Sequence, residues 1–246
     1  GKSHVFVFYL RAAASAADLF DSMIRSIEAS RLGLEGGEEA DTLGPLLQMD
    51  YTYVSATGEF CDEQQVKATI LTIVDTDFGG IGATQVDHKG KDESGLRYVV
   101  SFIDMLGAAD VRVRTDNEPA TLEFFSALVE KRLPAKTTPE NSTRAEHEQM
   151  GAVERAHLSL QSQLRALRLD FRARSLRDLV PGDVLFPWAV RHSAWITMRF
   201  QRKQDSGRTA YENRRGVAYT SPLVPFGEVT MIRVPIDPPG LRKKLN

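Results

Sequence analysis

Asp50, Asp116 and Glu154 are the residues of this chain whose type and setting suit chemistry. Asp50 lies inside the apolar, β-rich run 46–55, "LLQMDYTYVS". A carboxylate in such a strand is costly unless a partner or a metal neutralises it. Asp116 directly follows the β-leaning run 111–115 and precedes a helix start at Asn117-Glu118-Pro119, while Glu154 falls early in a long amphipathic stretch. Each has an ordinary alternative: Asp50 fits an edge strand facing water, Asp116 an acid at a helix N-terminus, and Glu154 a solvated helical position. Jointly, three hard oxygen donors from two strands and a helix suit Mg2+ or Mn2+, and two such ions suit in-line phosphoryl transfer.

Periodicity predicts the elements that position these acids. The runs 46–55, 68–76 and 80–88 read as strands, the last two joined by the hairpin-like "DFGG". Leu96, Val99, Val100, Ile103 and Leu106 share one face of a helix over 92–107 that stops at Gly107. A strand over 109–116 follows, then a helix opened by Asn117-Glu118-Pro119 and carrying Leu122, Phe125, Leu128 and Val129. A long helix over 149–172 has Leu160, Leu164, Leu167 and Phe171 as its apolar stripe, and a further helix spans 187–203. The order predicts an α/β domain, a mixed sheet flanked by helices. Strand order is not set by periodicity. Ahead of this unit, 4–10 reads as a short strand, 15–30 as a helix, and the Gly- and acid-rich 31–45 as a linker, with a domain boundary near residue 46.

Composition narrows the classes. With 246 residues, 42% hydrophobic and 26% charged, one sizeable domain with appendages is expected. A single cysteine, Cys61, excludes a disulfide framework and a Cys-rich zinc site and points to a reducing intracellular compartment, while the five histidines are scattered. No apolar run approaches the roughly 20 residues of a membrane span. Arg11 cuts the opening "VFVFYL" too short for a signal peptide. The net charge of −2 hides a polarity: residues 1–153 hold 14 Lys and Arg against 25 Asp and Glu, residues 154–246 hold 17 against 8. A basic segment on an acid-rich body suits a protein that holds metal on one part and polyanion on another, and a solvated helix face is the plainer alternative. On the long helix, Glu154, Gln161, Arg165 and Arg168 follow at spacings of 7, 4 and 3, a polar face suited to a DNA backbone or simply to water. Arg199, Arg202 and Lys203 suit a helix C-terminus better than DNA, and Trp188 and Trp195 suit a core better than base stacking.

"MDYTYV", "RTDNEPA" and "GAVERAHLSLQSQLRAL" resemble, in that order, the three acidic motifs of the retroviral and retrotransposon integrase catalytic core, the D,D-x-E group with a ribonuclease-H-like fold. Thirty-seven residues separate Asp116 from Glu154, near the family's spacing of about 35, a difference a loop absorbs. "WAVRHSAWITMRFQRKQDSGRTAYENRRG" and "PLVPFGEVTMIRVP" resemble the segments that follow this core in Copia-like Pol polyproteins, so the similarity spans roughly 46–235. The resemblance implies that Asp50, Asp116 and Glu154 are both catalytic and metal-binding, holding two Mg2+ or Mn2+ ions. It also implies DNA 3′-end processing and strand transfer, element ends and target DNA as partners, a homo-oligomer, and work in the nucleus. The core would be 46–215, with 216–246 the start of a truncated downstream region. Departures set a second expectation. The family's His/Cys zinc domain has no counterpart here, 1–45 matches nothing familiar, Glu146 and Glu148 crowd the approach to Glu154, and "EFCDEQQ" (59–65) adds acids to the first hairpin. A catalytically degenerate or domesticated fragment, acting as a nucleic-acid-binding or oligomerisation module, would carry such changes.

Overall fold

A computed structural model of the chain describes residues 44–140 and 150–228. The strand expected over 4–10, the helix over 15–30, nearly all of the 31–45 linker, Glu146 and Glu148 lie outside the described residues. Six strands form one sheet: β1 (Leu46–Val54), β2 (Phe60–Cys61), β3 (Ala68–Asp75), β4 (Ile81–Val86), β5 (Val111–Arg114) and β6 (Thr137–Pro139). Its order is β4-β3-β1-β5-β6, with β2 paired to β1. β1, β3 and β4 make an antiparallel meander, whereas β1–β5 and β5–β6 are parallel. Together with the helices on both faces, this is the expected α/β, ribonuclease-H-like mixed sheet: an antiparallel three-strand meander plus parallel strands.

Alternation along β1 sends successive side chains to opposite faces. Leu47, Met49 and Tyr51 join Leu71, Ile73, Val111 and Val113 under α1 (Glu93–Leu106) and α2 (Pro119–Arg132). Val54, Ile70, Val74 and Ala83 line the other face under α3 (Gly151–Ser175) and α4 (Phe186–Phe200). Asp92 caps α1, its Oδ1 accepting the Gly95 N–H at 2.7 Å, and Gly107 ends that helix with φ of 68°. The α3 stripe is the expected Leu160, Leu164, Leu167 and Phe171, with Val153 added.

Four details depart from expectation. α2 buries Thr121, Phe124, Ala127, Leu128 and Arg132, whereas Leu122 is 43% exposed, so its inner face is turned from the one predicted through Leu122 and Val129. The small Thr121 and Ala127 lie inward because α2 packs closely on α1 and the sheet. β6 shows no alternation in "TTP", and it is the buried Arg132 that fixes it, donating to Thr137 Oγ1 and to Ala109 O. α4 ends at Phe200, and a bridge between Arg202 and Thr209 turns the chain into α5 (Ala210–Arg215). α5 opens with a capping box, Thr209 Oγ1 accepting from Glu212 N at 3.0 Å and Glu212 Oε2 from Thr209 N at 2.7 Å. Finally Phe226, in the segment expected as an extension, packs into the α3–α4 core against Phe171 and His192.

Candidate active site

The site is built on the parallel contact between β1 and β5. Leu47 pairs with Val113 and Gln48 with Arg114. β5 ends at Arg114; continued two residues further, that register would put Asp116 level with Asp50 on one face of the sheet. Burial pushes the Asp50 carboxyl up to about 6; the N–H of Tyr51, donating to Asp50 Oδ1 at 2.8 Å, opposes this, while the charges of Asp116 and then Glu118 add to it. Among the described residues Oδ1 of Asp116 is buried without a hydrogen-bond partner, as is Oγ1 of Thr72, directly opposite Asp50 on β3. Two carboxylates held close, one with an orphaned oxygen and the other disfavoured as an anion, fit a hard divalent cation between them.

Gln48, two residues before Asp50 on the same face, decides where α3 starts. Its Oε1 accepts the N–H groups of Ala152 and Val153, both at 3.1 Å. Met150, the N-cap residue, makes no side-chain cap bond, so the first turn is capped from strand β1 instead. This places Glu154, in that first turn, at the Asp50 end of the face. Glu154 itself is exposed, and among the described residues no three His, Cys, Asp or Glu side chains stand together as a metal site. The structure thus brings the charge of Asp116 to bear on Asp50 and leaves Glu154 outside any such group among the described residues. His157, one turn further along α3, has Nε2 buried without a partner, and burial lowers its imidazole to about 4.

Lys89 supplies the nearby positive charge. Its ammonium lies 2.8 Å from Glu118 Oε2 and 3.3 Å from Glu63 Oε1, with the Tyr53 ring centroid at 5.1 Å. It acts against the rise of the Asp50 carboxyl. Neither Gln48 nor Lys89 was expected from the sequence. The only local signal was their nearness to acidic motifs.

The expected DNA-facing residues separate. Gln161 is partly exposed, and Arg165 is exposed with Nη2 2.7 Å from Glu59 Oε2. Arg168 corrects the expectation of an open polar face: it is 9% exposed and donates to Gly58 O at 2.7 Å and Thr57 O at 2.6 Å, pinning the β1–β2 turn onto α3. A guanidinium spent on two backbone carbonyls is not free for phosphate. Arg199 is likewise buried, 4.2 Å from the Trp195 ring centroid and 5.3 Å from those of Tyr211 and Tyr219. Trp195 belongs to that cluster, and Trp188 packs against the core, as expected of both.

The fold is that of a ribonuclease-H-like domain, whose antiparallel and parallel strands meet at β1. No protein-family profile matches the sequence, and no curated protein does. The fold is similar to a chain of the simian T-cell lymphotropic virus intasome in complex with PP2A regulatory subunit B56 gamma. That match has a TM-score of 0.52 at 16% identity, covering 80% of this chain and 63% of that one. Also similar are the HTLV-2 integrase catalytic core domain in complex with magnesium, in its trimeric form (TM-score 0.46, 17% identity, 72% of this chain and 99% of that chain), and the BIV integrase catalytic core domain (0.44, 20%, 70% and 93%). The fold is integrase-like. Among the described residues no helix is long and apolar enough to cross a membrane.

Proposed function

We propose that this domain is the catalytic core of a retrotransposon Pol-type integrase, a polynucleotidyl transferase that trims DNA 3′ ends and joins them to target DNA. One observation carries the reading most: the charge of Asp116, two residues past the end of β5, acts on the buried Asp50 of the adjacent parallel strand β1, and among the described residues a buried oxygen of Asp116 has no hydrogen-bond partner. Divalent ions bound there, Mg2+ or Mn2+, would supply charge neutralisation and activation of the attacking oxygen. Asp50 and Asp116 would hold them, and Glu154 would complete the ligands from the first turn of α3. Gln48 keeps that turn over the sheet, while Gln161 and Arg165 position the DNA backbone leading away from the acids. Element ends and target DNA are the substrates, a second copy of the chain is a partner, and the nucleus is the place of action. The test is a strand-cleavage and strand-transfer assay in Mg2+ or Mn2+. The parent is expected to be active and Asp116→Asn inactive; equal activity of the two overturns the reading.

A second reading has its own support. Glu154 is exposed, and no three-residue metal group occurs among the described residues, as in a degenerate core retained for binding nucleic acid or for self-association. Titration with Mn2+ separates the two. Binding that Asp50→Asn removes favours the enzyme, and no binding with all three acids intact favours the module.

A further inference from the structure

Glu59, at the turn of the β1–β2 hairpin, faces two arginines of α3. Its Oε2 accepts from Arg165 Nη2 at 2.7 Å and its Oε1 from Arg168 Nη1 at 3.3 Å. The two cations differ in what else holds them. The Arg168 side chain is 10% exposed and committed to backbone carbonyls, whereas that of Arg165 is 53% exposed and, among the described residues, has Glu59 as its partner. Arg165 is also the first cause holding the Glu59 carboxyl below its ordinary range.

Arg165 sits on a longer strip. At 100° per residue, offsets of 7, 11 and 18 from Glu154 return to within about 20° of one line, so Gln161, Arg165 and Arg172 continue the Glu154 face along α3. Arg172 is exposed, and no hydrogen bond or ion pair holds its guanidinium among the described residues. Arg165 lies about 16 Å beyond Glu154 along the helix at 1.5 Å per residue. An acid here is an anomaly of charge: one carboxylate bends over the first of the two cations on a line that starts at Glu154.

We propose that the Glu59 carboxylate stands in for a phosphate, and that the strip Gln161–Arg165–Arg172 takes a nucleic-acid backbone which must displace Glu59 to engage Arg165. This rests on reading the domain as one that acts on nucleic acid. A carboxylate offers two acceptor oxygens to the arginine forks, as a phosphodiester offers its two non-bridging oxygens, so the same donors accept either anion. An ion pair this exposed contributes little to the fold, so exchanging carboxylate for phosphate costs little. Glu59 thereby sets the affinity and salt sensitivity of nucleic-acid binding without touching the acids at the centre.

The experiment is equilibrium binding of a fluorescently labelled duplex DNA, in EDTA and at several salt concentrations, to the parent, Glu59→Gln and Glu130→Gln. Glu130 is exposed on α2, on the other face of the sheet, and its variant makes the same change in net charge. Glu59→Gln is expected to bind about 3- to 10-fold more tightly than Glu130→Gln, the scale of an exposed ion pair or slightly more. Adding Arg165→Ala is expected to abolish the gain. Equal affinity of the two single variants, complete absence of binding included, overturns the proposal, as does a gain that survives Arg165→Ala. Thermal melting checks that each variant is folded. Because EDTA removes divalent metal, the result is independent of cleavage: a protein that shows the gain but never cuts DNA keeps this inference and loses the catalytic reading, and the converse pattern does the opposite.

Discussion

Asp116, two residues past the end of β5, raises by its charge the proton affinity of the Asp50 carboxyl on the parallel strand β1, where burial is the larger cause of elevation. A carboxyl lifted from 3.8 to about 6 on folding favours the fold fully below pH about 3.8, and that contribution is lost as pH rises through about 6. At pH 7 without metal the ionised Asp50 therefore strains the domain. Asp50→Asn is expected to stabilise it there by on the order of 1–3 kcal/mol, measured by urea unfolding in EDTA, with no gain at pH 4. A destabilised Asp50→Asn protein at pH 7 would show that the two acids are not strained.

Two half-buried histidines act in the opposite direction. Burial lowers His157 to about 4, and burial together with the Arg199 charge lowers His192 to about 4. A depressed imidazole contributes stability that is full above its unfolded value near 6.5 and is lost as pH falls through 4. His157→Gln is expected to lose less stability between pH 7 and pH 4.5 than the parent does, by about 2 kcal/mol. Parallel urea midpoints for the two proteins across that range would contradict it.

Gln48 is the cap of α3 although it lies 104 positions before Ala152. Gln48→Leu is expected to cost about 1–2 kcal/mol by leaving two N–H groups unpaired. It should also speed hydrogen exchange at Ala152 and Val153 selectively, while Gln48→Glu, which keeps an acceptor, restores protection. Unchanged exchange at those two amides in the Leu variant would remove Gln48 from this role.

Gly58 and Arg168 are coupled. Gly58 has φ of 79°, and a Cβ there would meet the Arg168 guanidinium. Gly58→Ala is expected to destabilise by about 2 kcal/mol or more through left-handed strain and that collision. Adding Arg168→Ala should cost less in the Gly58→Ala background than in the parent, because there it also relieves the collision. A double-mutant cycle read by thermal melting measures this, and strict additivity would mean that the two sites do not touch energetically.

Much of the fold was legible in the sequence because its signals are local. The alternation of 46–55 and the 3.6-residue recurrence of Leu160, Leu164, Leu167 and Phe171 each reflect burial of one face of one element. The same reasoning marked Asp50 as an acid in an apolar strand. The capping box of α5 was equally local, with Thr209 and Glu212 at the required spacing in "TAYE".

Other features depended on partners distant in the chain. A helical wheel gives the angle of Arg168 but not that the β1–β2 turn folds over that flank, and so an arginine placed on the polar face is buried. It gives the spacing of Arg199 but not the three rings that enclose it. Sequence by itself determined which segments are strands and helices and which acids are out of place in them, since backbone geometry repeats every two or 3.6 residues. Only the tertiary structure decided that β1 lies parallel to β5, so that the Asp116 charge acts on Asp50, and that Gln48 reaches the start of α3. Strand pairing is set by the joint packing of both sheet faces, which no single segment encodes.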